Sequence, residues 1–474
     1  ERAVENRHQR VRRRAAPKKN LLCVVASGEM AWGSLGWLLV SALLAAYALT
    51  WGRRRRRCVG FFHPYCNDGG GGERVLWCGV QALLEAYPDV RVVIYTGDVA
   101  PQEEILRKAQ DRFGIAIDGG RLSMVRLRLR WVVEARCYPA LTLLGQSMGT
   151  VVLALEALSK LVPTLFIDTM GCAFTYPVAR YLFGCKVSCY THYPTISTDM
   201  LSLVSRRETS YNNSAAISRS LAMTRLKLAY YGLFALLYGV VGRCAHTAMC
   251  NSSWTAAHIR DIWGVASAVL FPPCNTDKLQ GMPLAGRERL VVSLGQFRPE
   301  KNHALQVRGM AELIKKGEAS GKAARMAIVG SCRNSDDEAR VAALRALIQE
   351  LGLQGCVEVR VNLKWEELEG LLGRAMIGVH TMVNEHFGIN VVEFMASGVI
   401  PVAHKSGGPK EDIVDEGVGG FLAQDAEEYA TCMSKIFEMR EGDRLRMQEA
   451  ARERAKAFSD ESFKKGFLVG LPSF

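Results

Sequence analysis

The sequence predicts an α/β protein of two doubly wound, Rossmann-like domains facing a central cleft, with one membrane-spanning helix ahead of them. Three observations carry this prediction. Short apolar runs alternate with helical stretches through both halves of the chain, the pattern of parallel sheets covered by helices. Pro272-Pro273 marks a linker between the two halves. Residues 31–51, AWGSLGWLLVSALLAAYALTW, form a 21-residue run with no charge, long enough to cross about 30 Å of hydrocarbon as a helix. The expected units are therefore a basic terminus and anchor at 1–57, a first domain at 58–275 and a second at 276–474, with the last helix packing back on the first domain.

In chain order, the anchor comes first. Trp32, Trp37, Tyr47 and Trp51 suit the bilayer interface. The five arginines at 53–57 follow at once, which resembles a stop-transfer signal rather than a small-residue cleavage site and places the body on the cytosolic side. The upstream cluster Arg12, Arg13, Arg14, Lys18 and Lys19 opposes that orientation. Of the net charge of +13, residues 1–57 hold thirteen Lys/Arg against three Glu, so +10 sits around the anchor and only +3 on the body. A nucleic-acid binder would spread its positive charge over the folded surface, so the basic balance points to a membrane. With 49% hydrophobic and 23% charged residues the chain is globular, not disordered. Fourteen cysteines are scattered without any CxxC, which reads as reduced thiols in core packing. Sequons at Asn212 and Asn251 would be used only on a luminal body.

The first domain opens on a strand at 59–62, a glycine-rich turn, and a helix over about 73–87, followed by strands at 90–95, 164–167 and 186–191. Residues 228–242, LAYYGLFALLYGVVG, are uncharged but short for a span. With Arg219, Arg225 and Lys227 just upstream they read as an interfacial or re-entrant patch. In the second domain, strands are expected at 290–295, 326–330, 357–361, 377–380 and 400–404, with helices at 302–315, 338–352, 365–372 and after Glu385.

The chemistry concentrates in EHFGINVVEFMASGVIPVAHKSGG. Glu385 and Glu393 stand eight positions apart, and a glycine-broken segment runs into an apolar helix at 389–396. The helix start offers free N–H groups to an anion. One carboxylate then lies beside that anion, and the other two turns along. A phosphorylated sugar supplies matching groups: hydroxyls for the acids and a diphosphate for the helix end. Upstream, GQFRPEKNH sets Arg298 and Lys301 after a strand, cations suited to phosphate. No Asp-x-Asp pair occurs, so the common metal-holding device of sugar transfer is missing from the sequence and no metal or other cofactor is expected. Gly69, Gly70, Gly71 and Gly72 let backbone approach a phosphate at a helix start, and His192 ends a strand that points to the same cleft. A rival reading exists. Gly145-Gln146-Ser147-Met148-Gly149 fits G-x-S-x-G after a strand-like run at 141–144, the form of a hydrolase nucleophile elbow. That reading, an esterase using Ser147, leaves Arg298, Lys301, Glu385 and Glu393 without a role, and a non-catalytic membrane scaffold leaves them equally idle.

Over residues 58–470 the chain resembles retaining glycosyltransferases of the GT-B fold. Its stretches FFHPYCNDGGGGERVLW, YPALTLLGQSMGT, HYPTISTDML, SLGQFRPEKNH and EHFGINVVEFMASG are similar to those of the α-1,2-mannosyltransferases that extend the dolichol-linked oligosaccharide at the endoplasmic reticulum. The resemblance implies a single-pass membrane enzyme with its catalytic body in the cytosol. Its donor is GDP-mannose and its acceptor a dolichol-diphosphate-linked oligosaccharide, which receives its fourth and fifth mannoses. Partner mannosyltransferases of the same pathway are implied as well. By the same resemblance Glu385 lies near the donor sugar, Glu393 bonds the ribose, and Arg298 and Lys301 hold the diphosphate. Phe387, Gly388 and Ile389 complete the donor site. The glycine loop lines the acceptor side, and His192, with Lys301 and Glu385, belongs to the reacting centre. Gln296 stands where many relatives carry an arginine, which weakens the role of Arg298. The G-x-S-x-G stretch belongs to this resemblance too.

Overall fold

The computed structural model describes residues 57–197, 200, 221–316 and 324–474; the predicted span at 31–51 and the sequon at Asn212 lie outside them. Two all-parallel sheets organise the rest. The first has seven strands, β1 (Cys58–Phe62), β2 (Arg91–Thr96), β3 (Leu122–Arg126), β4 (Leu165–Asp168), β5 (Lys186–Thr191), β6 (Thr247–Cys250) and β7 (Ala268–Val269), in the order β3-β2-β1-β4-β5-β6-β7. The second has six, β8 (Glu288–Leu294), β9 (Arg325–Gly330), β10 (Val357–Val361), β11 (Ala375–His380), β12 (Ile400–His404) and β13 (Phe421–Ala423), in the order β10-β9-β8-β11-β12-β13. Strands β1, β4, β11 and β12 are buried along their whole length, as parallel strands covered on both faces must be.

The helices around the first sheet are α1 (Gly71–Ala86), α2 (Gln102–Phe113), α3 (Thr142–Lys160), α4 (Leu221–Gly242) and α5 (Ser253–Trp263). Those that follow are α6 (Thr276–Gln280), α7 (His303–Lys315), α8 (Ser335–Glu350), α9 (Trp365–Arg374), α10 (Ile389–Ser397), α11 (Ala426–Glu438), α12 (Glu441–Ala455) and α13 (Asp460–Gly470). In each sheet the strand order reverses once, between β1 and β4 and between β8 and β11. The crevice at such a reversal, outside the carboxyl ends of the strands, is where doubly wound sheets bind ligands. The loops that leave these four strands carry His63, Thr169, Lys301 and Glu385.

The chain returns to the first sheet at its end. Phe467 of α13 stacks on Phe61 of β1 at 6.3 Å between ring centroids, and Cys274 N–H donates to Phe458 O at 2.9 Å. Arg74, on the first turn of α1, closes a two-pronged ion pair on Asp460 of α13, Nη2 to Oδ2 at 2.6 Å. The helix behind the glycine loop is thereby tied to the last helix of the chain.

One local reading needs correction. Residues 141–144 are not a strand: α3 starts at Thr142 and Ser147 sits inside it. An apolar run this short does not distinguish strand from helix by periodicity. The G-x-S-x-G glycines serve packing, since a Cβ at Gly145 would collide with the Tyr138 ring and one at Gly149 with the Val132 carbonyl. The strand–turn–helix elbow is absent there, and the esterase reading loses its geometry. The apolar stretch at 228–242 is the greater part of the regular helix α4. It buries Phe234 and Tyr238 inward while Leu226, Leu233 and Leu236 stand 56–67% exposed. Tyr230 Oη accepts from Leu144 N–H at 3.1 Å, so α4 lies against the start of α3. The remaining sequon is closed to modification in the folded chain, because Asn251 is only 5% exposed.

Candidate active site

On the second-sheet side, helix α10 is delimited by glycines. Gly388 caps its start at φ 109° and Gly398 ends it at φ 78°, both in the region that disfavours side chains. Just ahead of it, Gly408 N–H donates to Glu385 O at 2.8 Å and Ser406 Oγ accepts from Asn384 N–H at 2.8 Å, which fixes the loop between β11 and α10. The Glu385 carboxylate meets Lys301 Nζ in an ion pair and His380 Nε2 at 3.3 Å. Lys301 is held from behind, where Thr381 Oγ1 donates to Lys301 O at 2.8 Å and itself accepts from Gln306 Nε2 at 2.9 Å. Burial pushes the Glu385 carboxyl up, but the His380 hydrogen bond and the Lys301 charge win and hold it well below the usual carboxylate range. It is an anion at neutral pH. Eight residues on, Glu393 has no such partner at close range. Burial raises it to about 7, and Arg74 only partly offsets this.

The facing wall belongs to the first sheet. Glu73, at the third position of α1, turns its carboxylate back to accept from Gly70 N–H at 2.5 Å and approaches His63 Nε2 at 3.6 Å. His63 is fully buried and its Nδ1 lies 2.7 Å from Thr169 Oγ1. The ring of His192 packs edge-on against Tyr190 at 5.0 Å, and its buried Nε2 has no hydrogen-bond partner. That atom faces the glycine loop, 3.6 Å from where a Cβ on Gly72 would stand. Burial and the neighbouring His63 lower His192 to about 4, so its ring is neutral at pH 7.

The two walls meet. A Cβ on Gly71 would lie 3.1 Å from Ile389 Cδ1, which brings the glycine loop to the start of α10. His386 stacks on Tyr193 at 4.9 Å and lies 5.4 Å from the Trp254 ring, and Ser253 N–H donates to Asp412 Oδ2 at 2.8 Å. Lys301, Glu385, Ile389, Gly71, Gly72 and His192 therefore border one crevice. Two expected residues stand apart. Arg298 pairs with Glu300 at 3.7 Å and lines a separate cavity of about 240 Å³ with Asn302, His303 and Arg340. The Phe387 ring is 3% exposed, packed on Phe271 and Phe458 at 5.8 and 5.5 Å, so only its backbone is left for a ligand. Sequence reasoning passed over His63, Glu73, Thr169 and His380. Glu73 had a legible signal, three residues after a helix-capping glycine, and His63 and His380 each stand at a strand end.

Two facing doubly wound sheets, with an anionic and cationic pair at one helix start and a histidine opposite, define a GT-B glycosyltransferase. Solved structures share the fold. The chain superposes on sucrose-phosphate synthase from Thermosynechococcus elongatus with TM-score 0.63 and 18% identity, over 87% of this chain and 98% of that one. Anabaena Alr3699/HepE, solved with UDP and glucose, gives 0.58 and 15% over 88% and 99%. Residues 56–263 match the family model described as ALG11 mannosyltransferase N-terminus, and residues 276–454 that of glycosyl transferases group 1. Relatives named GDP-Man:Man(3)GlcNAc(2)-PP-Dol alpha-1,2-mannosyltransferase are 45% identical in Mus musculus over 92% of this chain and 93% of theirs. The Homo sapiens relative of the same name is 47% identical over 88% and 87%. The chain belongs to the ALG11 mannosyltransferase family.

Proposed function

We propose that the chain moves mannose from GDP-mannose onto a Man3GlcNAc2 oligosaccharide linked through diphosphate to dolichol, in α-1,2 linkage, and then adds a second mannose in the same way. The observation that carries this reading is the Lys301–Glu385 pair at the start of α10, opposite His192 and the glycine loop. Lys301 and the free N–H groups of α10 neutralise the departing diphosphate. Glu385 orients the donor mannose, and Glu393 accepts hydrogen bonds from the ribose hydroxyls. The mannose C1–phosphate bond breaks while a bond from C1 to the acceptor oxygen forms on the same face. The proton of the acceptor hydroxyl passes to the departing phosphate oxygen, so no protein nucleophile takes part. Positioning and fixed charge supply the rate without a metal ion. Arg298 belongs to the outer part of the donor site in this reading, because it pairs away from Glu385.

The protein works at the endoplasmic reticulum membrane, anchored by residues 31–51 with its body in the cytosol. The outward faces of α3 (Met148, Val152, Leu155) and α4 (Leu226, Leu233, Leu236, Val240) support contact with the bilayer that holds the acceptor. Detergent-solubilised protein given labelled GDP-mannose and lipid-linked Man3GlcNAc2, with a chelator present, is expected to yield products one and two mannoses larger. Products of unchanged size, or transfer restored only by a divalent ion, contradict the reading.

A further inference from the structure

Beside the reacting centre lies a cavity of about 280 Å³ that the roles above leave unassigned. It opens at the carboxyl ends of β1, β4 and β5, where Pro64, Met170 and Thr195 line it within three residues of His63, Thr169 and His192. Its size is close to the roughly 300 Å³ lower end of small-molecule pockets, room for one ring and not for a chain of them. No charged side chain lines it, which disfavours a phosphate. Instead it combines aromatic surface, Tyr65 and Phe174, with the amide of Gln146 and the hydroxyls of Ser147, Thr150 and Thr195. Among the described residues the Ser147 and Tyr65 hydroxyls make no hydrogen bond, although Ser147 is only 9% exposed. Both residues line the cavity, so these two hydroxyls are open to a ligand that enters it. A pyranose ring matches the set, with an apolar face for the aromatic rings and hydroxyls for the polar groups.

The position of the cavity in the fold sharpens this. Helix α3 contributes Gln146, Ser147 and Thr150 to it, and presents Met148, Val152 and Leu155 on its outer surface. The cavity thus lies between the reacting centre and the apolar outer surface of α3. We propose that it is a subsite for an inner sugar of the acceptor, a ring between the reacting mannose and the lipid. This rests on the transfer reading above. The G-x-S-x-G serine gains a role as a sugar contact, not a nucleophile.

The test uses full-length Thr150→Phe and Ser147→Met, which fill the cavity, and Tyr65→Ala, which removes an aromatic wall. With lipid-linked Man3GlcNAc2 the acceptor KM should rise about tenfold or more, the scale of losing one stacked and hydrogen-bonded ring. The KM for GDP-mannose and the melting temperature should stay near wild type. A short mannoside acceptor without inner sugars should not distinguish the variants from wild type. An unchanged acceptor KM in these folded variants overturns the subsite. So does a penalty that vanishes when a short alkyl chain replaces the lipid, since the cavity would then hold lipid. Binding of the free Man3GlcNAc2 glycan, read by saturation-transfer NMR, separates this claim from the transfer reading. Loss of the glycan signal in Thr150→Phe supports the subsite even if wild type transfers no mannose, and an unchanged signal overturns it.

Discussion

The two walls of the crevice carry opposite electrostatics. On the second-sheet wall Lys301 and Glu385 are both charged, and Glu385 is held ionised by two donors despite its burial. On the first-sheet wall His192 is neutral, and the Glu73 carboxylate is engaged by its own loop and by His63. The difference follows from which neighbours each buried group has, not from how deep it lies. Burial, only partly offset by Arg74, raises Glu393 to about 7 on the same helix that Glu385 precedes. A wall of fixed charge suits a group that leaves with charge, and a wall without free charge suits an incoming alcohol.

Substitutions can break this contrast, and the largest effect is expected on the charged wall. Glu385→Ala should lower turnover about a thousandfold, the scale of removing one electrostatic contact from a transition state, with the melting temperature little changed; near-normal turnover would remove Glu385 from the chemistry. On the neutral wall, His192→Ala removes a positioning contact at the reacting centre and should cost about a hundredfold in kcat. Because the ring is already neutral above about pH 4, kcat at saturating GDP-mannose should show no acid limb near pH 6.5 that His192→Ala removes, and finding one would place a charged His192 in the reaction. Glu73→Ala frees Gly70 N–H and removes the partner of His63, and should lower kcat about tenfold, with Glu73→Gln recovering most of it because the amide oxygen still accepts. Equal kcat in Glu73→Ala and wild type would show that the glycine loop holds its shape unaided.

The smallest effect sharpens the comparison within α10. Glu393 is about half protonated at pH 7 in the free protein, and ribose hydroxyls favour its ionised form, so binding releases a proton. GDP affinity should therefore rise several-fold from pH 6 to about pH 7.5 and then level off. Glu393→Gln should flatten that curve. A slope that survives the substitution assigns the proton to another group.

Much of this was legible in the residues. The β12 strand at Ile400–His404 coincides with its predicted bounds because an all-apolar parallel strand leaves an unbroken run. Lys301 and Glu385 lie 84 positions apart yet touch, and the loop–helix motif pointed at both. Strands β6 and β13, of four and three residues, are too short for a periodic signal and went unread. So did the start of α3, whose leucines look the same on either backbone. The aim of Arg298 depends on the turn through Pro299 to Lys301, a local geometry that spacing does not encode. His63 and Glu73 needed the fold, since only the β1–β4 reversal brings Thr169 to them.

The most direct measurement compares GDP affinity of wild type and Lys301→Ala by titration calorimetry with chelator present. A diphosphate clamp at Lys301 requires that the variant, folded and melting as wild type does, binds GDP at least about tenfold more weakly. Equal affinity in the two proteins would contradict it, because the diphosphate would then be held by something other than the cation at the start of α10.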